Sequence, residues 1–145
     1  MARRKKAFDG DREATIEKAK FLLEKARKKV SSLKEDKSSE SRVRLRQAAE
    51  TGWFAMTTAA DAYLNAREGK VAGAANTIDV RRVYGGLGPK TRERYGDARG
   101  VLHVLCGYSD DKDSCTIASV KTNLRKAGQA IEAVGRSLSN KKSRR

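Results

Sequence analysis

The chain has 145 residues and a formal net charge of +15, with 38% hydrophobic residues, one proline, one histidine and two cysteines. Its length fits one domain whose core can fold without metal or disulfide support. It contains no run of 18 apolar residues, which excludes a membrane-spanning helix. The basic start M-A-R-R-K-K is not followed by an apolar stretch, which excludes a secretory signal. Two cysteines in such a chain point to free thiols and a reducing compartment, so a cytoplasmic location is expected.

The positive charge is unevenly placed. Arg3, Arg4, Lys5 and Lys6 carry +4 within residues 1–8, and Lys141, Lys142, Arg144 and Arg145 carry another +4 at the other end, leaving +7 on the body. Like-charge blocks of this kind stay extended and attract polyanions, so 1–8 and 141–145 are expected to be disordered tails around a domain at 9–140. Residues 9–36 nearly balance, with eight basic and seven acidic side chains, whereas 112–145 has nine basic and two acidic. The basic face therefore belongs to the last helix, through Lys121, Arg125 and Lys126, and to its tail.

A single proline, Pro89, leaves long stretches free to be helical. Four of them carry apolar or small residues at alternating spacings of three and four, which predicts one buried seam per helix. The first seam is Ile16, Ala19, Leu23, Ala26, Val30 and Leu33, widened by Phe21 and Leu22. Its acidic start and basic end suit the helix dipole. The second is Leu45, Ala49, Gly52, Met56, Ala59, Tyr63 and Ala66, whose small residues allow a neighbour to approach closely. A long connection from Gly69 to Gly88 follows, with a short extra helix expected at Ile78–Tyr84. The third seam is Tyr95, Ala98, Leu102 and Leu105, opened by a turn at Gly88 and a first-turn Pro89. The polar turn Tyr108–Ser114 leads to the fourth, Ile117, Val120, Leu124, Ala127, Ile131, Val134 and Leu138, with Asp113 or Ser114 as its N-cap. The expected fold is all-α, a four-helix up-and-down bundle with the extra helix between helices two and three.

Few residues carry chemistry. Arg99 and His103 lie one helical turn apart on one face. An arginine holding a phosphate beside a near-neutral histidine supports RNA cleavage by general acid–base catalysis, while the structural alternative is a boundary histidine bonded to a neighbouring helix. One His and two Cys nine residues apart match no zinc-ligand spacing. Gly85-Gly-Leu-Gly88-Pro-Lys-Thr91 lacks the spacing of a phosphate loop, and Ser109–Ser114 lacks the glycine and glutamate of a calcium loop. No cofactor is expected. Most aromatics fall on a seam or at a helix end, so they are expected in the core. Only Arg81-Arg-Val-Tyr84 and Arg92-Glu-Arg-Tyr95 interleave basic and aromatic residues as a stacking platform requires.

The segments K-A-K-F-L-L-E-K-A-R, A-A-E-T-G-W-F-A-M-T-T-A-A-D-A-Y-L and G-V-L-H-V-L-C-G-Y-S-D, in this order, resemble the HEPN superfamily of helical bundles and a small uncharacterised bacterial family within it. The resemblance covers roughly residues 14–136. It implies a four-helix core, often dimeric, acting as an RNase of toxin–antitoxin or defence systems or as a non-catalytic partner of a nucleotidyltransferase. It also implies a buried acid at Asp61 that pairs with an arginine or with His103. The family's nuclease motif is an arginine followed by a histidine after four to six residues. Arg99 and His103 have three between them, Arg94 and His103 have eight, and Gly100 stands where a polar residue is usual. The chain therefore reads as a non-enzymatic module, a homodimer, that engages RNA or DNA through Arg3, Arg4, Lys5, Lys6, Lys121, Arg125, Lys126, Lys141, Lys142, Arg144 and Arg145. The alternatives are a metal-independent RNase using Arg99 and His103, and a protein partner of a nucleotidyltransferase.

Overall fold

A computed structural model describes residues 14–35, 38–70, 76–108 and 114–143, the last three as backbone alone. They form five α-helices: α1 (Ile16–Ser31), α2 (Ser39–Glu68), α3 (Thr77–Gly85), α4 (Pro89–Ala98) and α5 (Ile117–Ser143). A π-helical segment, Arg99–Leu105, continues α4 directly. There is no strand among the described residues, and none of their helices is long and apolar enough to cross a membrane.

Local chemistry sets the helix ends. Thr15 caps α1, its Oγ1 accepting from the Lys18 N–H at 3.0 Å. Ser38 caps α2 in the same way through the Ser41 N–H, and Asn76 caps α3 through the Asp79 N–H. α2 stops at Gly69, whose φ of 68° is the left-handed conformation that glycine adopts at no steric cost. Pro89 occupies the first turn of α4, where its missing N–H costs nothing.

The seams of α1, α2 and α5 meet in one core. Ala19, Leu23, Ala26 and Val30 are buried against α2 and α5, and α2 also packs on α3 and on the π segment. Gly52 makes the tightest approach, since a Cβ there would run into the Leu124 side chain of α5 and touch Leu102. α3 occupies the position expected for the extra helix. Its Tyr84 is fully buried, and the hydroxyl donates to the Met56 carbonyl at 2.6 Å.

Several expectations require correction. The cysteines are not free thiols. Cys106 and Cys115 form a disulfide that ties the end of the π segment to the start of α5. The closed turn brings the pair together despite nine residues of separation, and the thiol argument for a reducing compartment goes with it. Leu105 is half-buried while Cys106 points inward. The Cys106 N–H bonds to the Val101 carbonyl five residues back, and this wider turn shifts the register that a 3.6-residue period assumes. Phe21 does not widen the α1 seam. It is 64% exposed, with the Lys25 ammonium 5.7 Å from its ring centre. Ala66 is exposed as well, because the inward place on that turn of α2 goes to Ala62 and Leu64. The cap of α5 is Thr116, which exchanges hydrogen bonds with Ser119 at 3.1 and 3.2 Å. Ser114 lies before Cys115, which the disulfide holds, and the helix starts after it. Asp113 lies outside the described residues.

Candidate functional site

The π segment places the chain's one histidine in a row of rings. Tyr84 stacks on Tyr95 with centroids 5.1 Å apart, and Tyr95 lies 6.1 Å from Trp53. Trp53 stacks on His103 at 4.7 Å and 17°, and His103 meets Tyr108 edge-on at 5.0 Å. The row runs from the sealed core at Tyr84 to the surface at Tyr108, which is 74% exposed. Offset and edge-on contacts suit the ring quadrupoles and hold each ring in place. His103 is therefore a boundary histidine seated between two aromatics, and its ring contacts are to Trp53 and Tyr108. The acid expected to be buried, Asp61, is half-buried instead.

Arg99 shares this face. Its Nε is sealed from solvent with no hydrogen-bond partner in the protein, and so is the hydroxyl of Tyr95, one turn earlier. Burial raises the Tyr95 phenol above its usual range, and the positive charges of Arg99 and of Arg81 on α3 pull against that rise. His103 is lowered from its ordinary 6.5, first by desolvation and then by the charge of Arg99. Arg99 and His103 are thus electrostatically coupled, and the histidine is neutral at physiological pH. Among the described residues no group of three His, Cys, Asp or Glu side chains is placed to hold a metal.

A pH titration tests this environment. Trp53 is the only tryptophan, so its emission reports on the ring beneath it. The emission is expected to change as His103 protonates, with a midpoint below 6.5, and His103→Gln is expected to remove the transition. Because the folded histidine gives up its proton at a lower pH than the unfolded one, this group leaves stability intact above about 6.5 and reduces it as pH falls toward the folded value. A midpoint above 6.5 would contradict the assignment.

The basic residues predicted on α5 do not form one face. Lys126 points to α4 and binds Asp97 at 2.7 Å, with its side chain 35% exposed. Lys121 and Arg125 are exposed one turn apart and have no ion pair or hydrogen bond among the described residues. Arg3, Arg4, Lys5, Lys6, Arg144 and Arg145 lie outside the described residues, as do the side chains of Lys141 and Lys142.

Two features escaped the sequence reading. Arg81 joins the Tyr95–Arg99 cluster from another helix, which no spacing along the chain reveals. A groove of about 850 Å³ opens between α1, α2 and α5. Its walls include Glu17, Lys20, Ala62, Glu132 and Arg136, and the Arg67 guanidinium crosses it to bond Ser137 at 2.9 and 3.1 Å. It shares no residue with the aromatic row. No family model matches the chain, and neither a curated protein nor a solved structure matches it.

Proposed function

We propose that this chain is a non-enzymatic, HEPN-like interaction module, its long helices running up and down, that engages nucleic acid through its basic surface and tails. The observation that carries the reading is how the charges pair. Carboxylates on the described surface are taken up internally: Glu24 by Arg27, Glu40 by Arg44, Glu68 by Arg82, Asp79 by Lys70 and Arg82, Asp97 by Lys126, and Glu132 by Arg136. Glu68 and Asp79 are held below the usual carboxylate range, chiefly by hydrogen bonds from Arg82 and Lys70 respectively. Arg81, Arg94, Arg99, Lys121 and Arg125 are left without an ion pair or hydrogen bond among the described residues. Unpaired cations of this kind are free to replace the counterions of a phosphate backbone.

Deleting residues 1–6 and 141–145 is expected to remove most of the affinity for RNA or DNA, measured by fluorescence anisotropy at low salt. Lys121→Ala with Arg125→Ala is expected to weaken what remains. Undiminished binding by the truncated chain would remove the tails from the account.

A second reading is favoured by one observation, the coupling of Arg99 to a neutral His103. A metal-independent RNase at this pair requires cleavage of structured RNA that His103→Ala abolishes. Cleavage unchanged in that variant assigns the activity elsewhere.

A further inference from the structure

We infer that the Tyr95–Arg99 cluster is a binding site for a small tetrahedral oxyanion of the phosphate class, held by Arg99 and Arg81 with the Tyr95 hydroxyl as a neutral donor. The argument does not depend on strand binding. It begins with two buried polar atoms that need an acceptor. Tyr95 is 4% exposed and its hydroxyl has no partner, and the Nε of Arg99 is likewise sealed and unpartnered. A guanidinium N–H deprived of water and given nothing to bond is costly to maintain. Arginine has no acceptor of its own, and a phenol paired with it still has its O–H to place.

The surroundings offer no internal acceptor of the right charge. Arg81 approaches from α3, His103 lies one turn further on, and no described carboxylate acts on Tyr95 or His103. Arg81 itself has no ion pair. A second, independent observation is the backbone. The helix widens into π geometry at Arg99, the residue that carries the unpaired group. Such interruptions of an α-helix concentrate at functional sites. Beside it Gly100 faces open space, since a Cβ there would meet nothing within 4 Å.

The same geometry selects the ligand class. A guanidinium presents parallel N–H groups that match two oxygens of a carboxylate or phosphate. Two guanidiniums and a hydroxyl at one place call for more than two acceptor oxygens and more than one negative charge, which favours a phosphate-type dianion over a carboxylate.

The test uses the full chain with inorganic phosphate against chloride at matched ionic strength. Trp53 emission and the thermal midpoint are the readouts. The inference predicts a saturable change in emission and a midpoint raised by a few degrees at about ten times Kd. Arg99→Gln and Arg81→Gln are each expected to weaken the response about tenfold or more. Tyr95→Phe keeps the ring contacts with Tyr84 and Trp53 and is expected to weaken it several-fold, while Lys121→Gln with Arg125→Gln leaves it unchanged. A response that never saturates, that chloride reproduces, or that survives in both Arg99→Gln and Tyr95→Phe would overturn the inference. A second arm adds a single-stranded oligonucleotide to the phosphate-loaded protein. Displacement of phosphate assigns the site to a backbone phosphate, and indifference assigns it to the free ion. A chain that binds phosphate but no strand separates this site from the nucleic-acid reading.

Discussion

Tyr84→Ala is expected to lower the unfolding free energy by about 3–5 kcal/mol, the range for deleting a large buried aromatic. The residue sits at the junction of α2, α3 and α4. Its ring is fully buried and stacks on Tyr95, and its hydroxyl bonds to the Met56 carbonyl. Deletion leaves a cavity and unseats the inner end of the aromatic row. Tyr84→Phe separates the two contributions. It keeps the ring and removes one hydrogen bond, at an expected cost of about 1 kcal/mol. Urea titration of both variants beside the parent checks the order, and a loss below about 1 kcal/mol for the alanine variant would show that Tyr84 is not a core residue. Against a typical domain stability of about 5–15 kcal/mol, the larger loss brings the fold near its limit.

The second large effect belongs to the disulfide. Joining Cys106 to Cys115 closes a short loop between the π segment and α5. Loop-closure entropy for about ten residues gives an expected stabilisation of about 2.5–3 kcal/mol. Cys106→Ala with Cys115→Ala is expected to lower the urea midpoint by a corresponding amount, and a dithiol reductant should lower the midpoint of the parent chain alone. Equal sensitivity to reductant in both proteins would mean that the bridge contributes nothing to the folded state. The neighbouring Gly107 adds a steric constraint, because a Cβ there would collide with the His103 carbonyl.

The elements that sequence reading recovered are those where one period governs the whole segment. α1 and α5 keep a strict three-and-four spacing, and Ala19, Leu23, Ala26 and Val30 in the one, Val120, Leu124, Ala127, Ile131 and Val134 in the other, are buried as that spacing requires. α3 was found from its place in a long connection, and Pro89 marked the start of α4. The reading failed where the backbone left the α period or where the chain met itself. The π turn moved Leu105 off the seam and brought Cys106 in, and a period of 3.6 has no means of anticipating a five-residue hydrogen bond. The disulfide escaped because two cysteines nine apart are read by compartment rather than by geometry. Phe21 was misplaced because its hydrophobicity was weighed and its angle about the helix was not.

At the candidate site the sequence pointed to the right pair for an incomplete reason. Arg99 and His103 do share a face and an electrostatic environment. The rings that hold His103, Trp53 from α2 and Tyr108 from the following turn, come from separate parts of the chain, and so does Arg81. Half of the site is therefore tertiary. The charge argument was read in the same partial way. Composition locates the excess of cations, but the pairing of Lys126 with Asp97 and the freedom of Lys121 and Arg125 come from the packing of α4 on α5.

The central claim is that unpaired cations of this chain replace the counterions of a nucleic-acid backbone. It is tested most directly by the observed association constant of the full chain for a short RNA or DNA, measured across a salt series. The account predicts a linear fall of its logarithm with the logarithm of salt concentration, amounting to roughly 10³-fold or more between about 50 and 200 mM for six or more phosphate contacts. An affinity that does not change with salt, or no binding at the lowest salt, would contradict it.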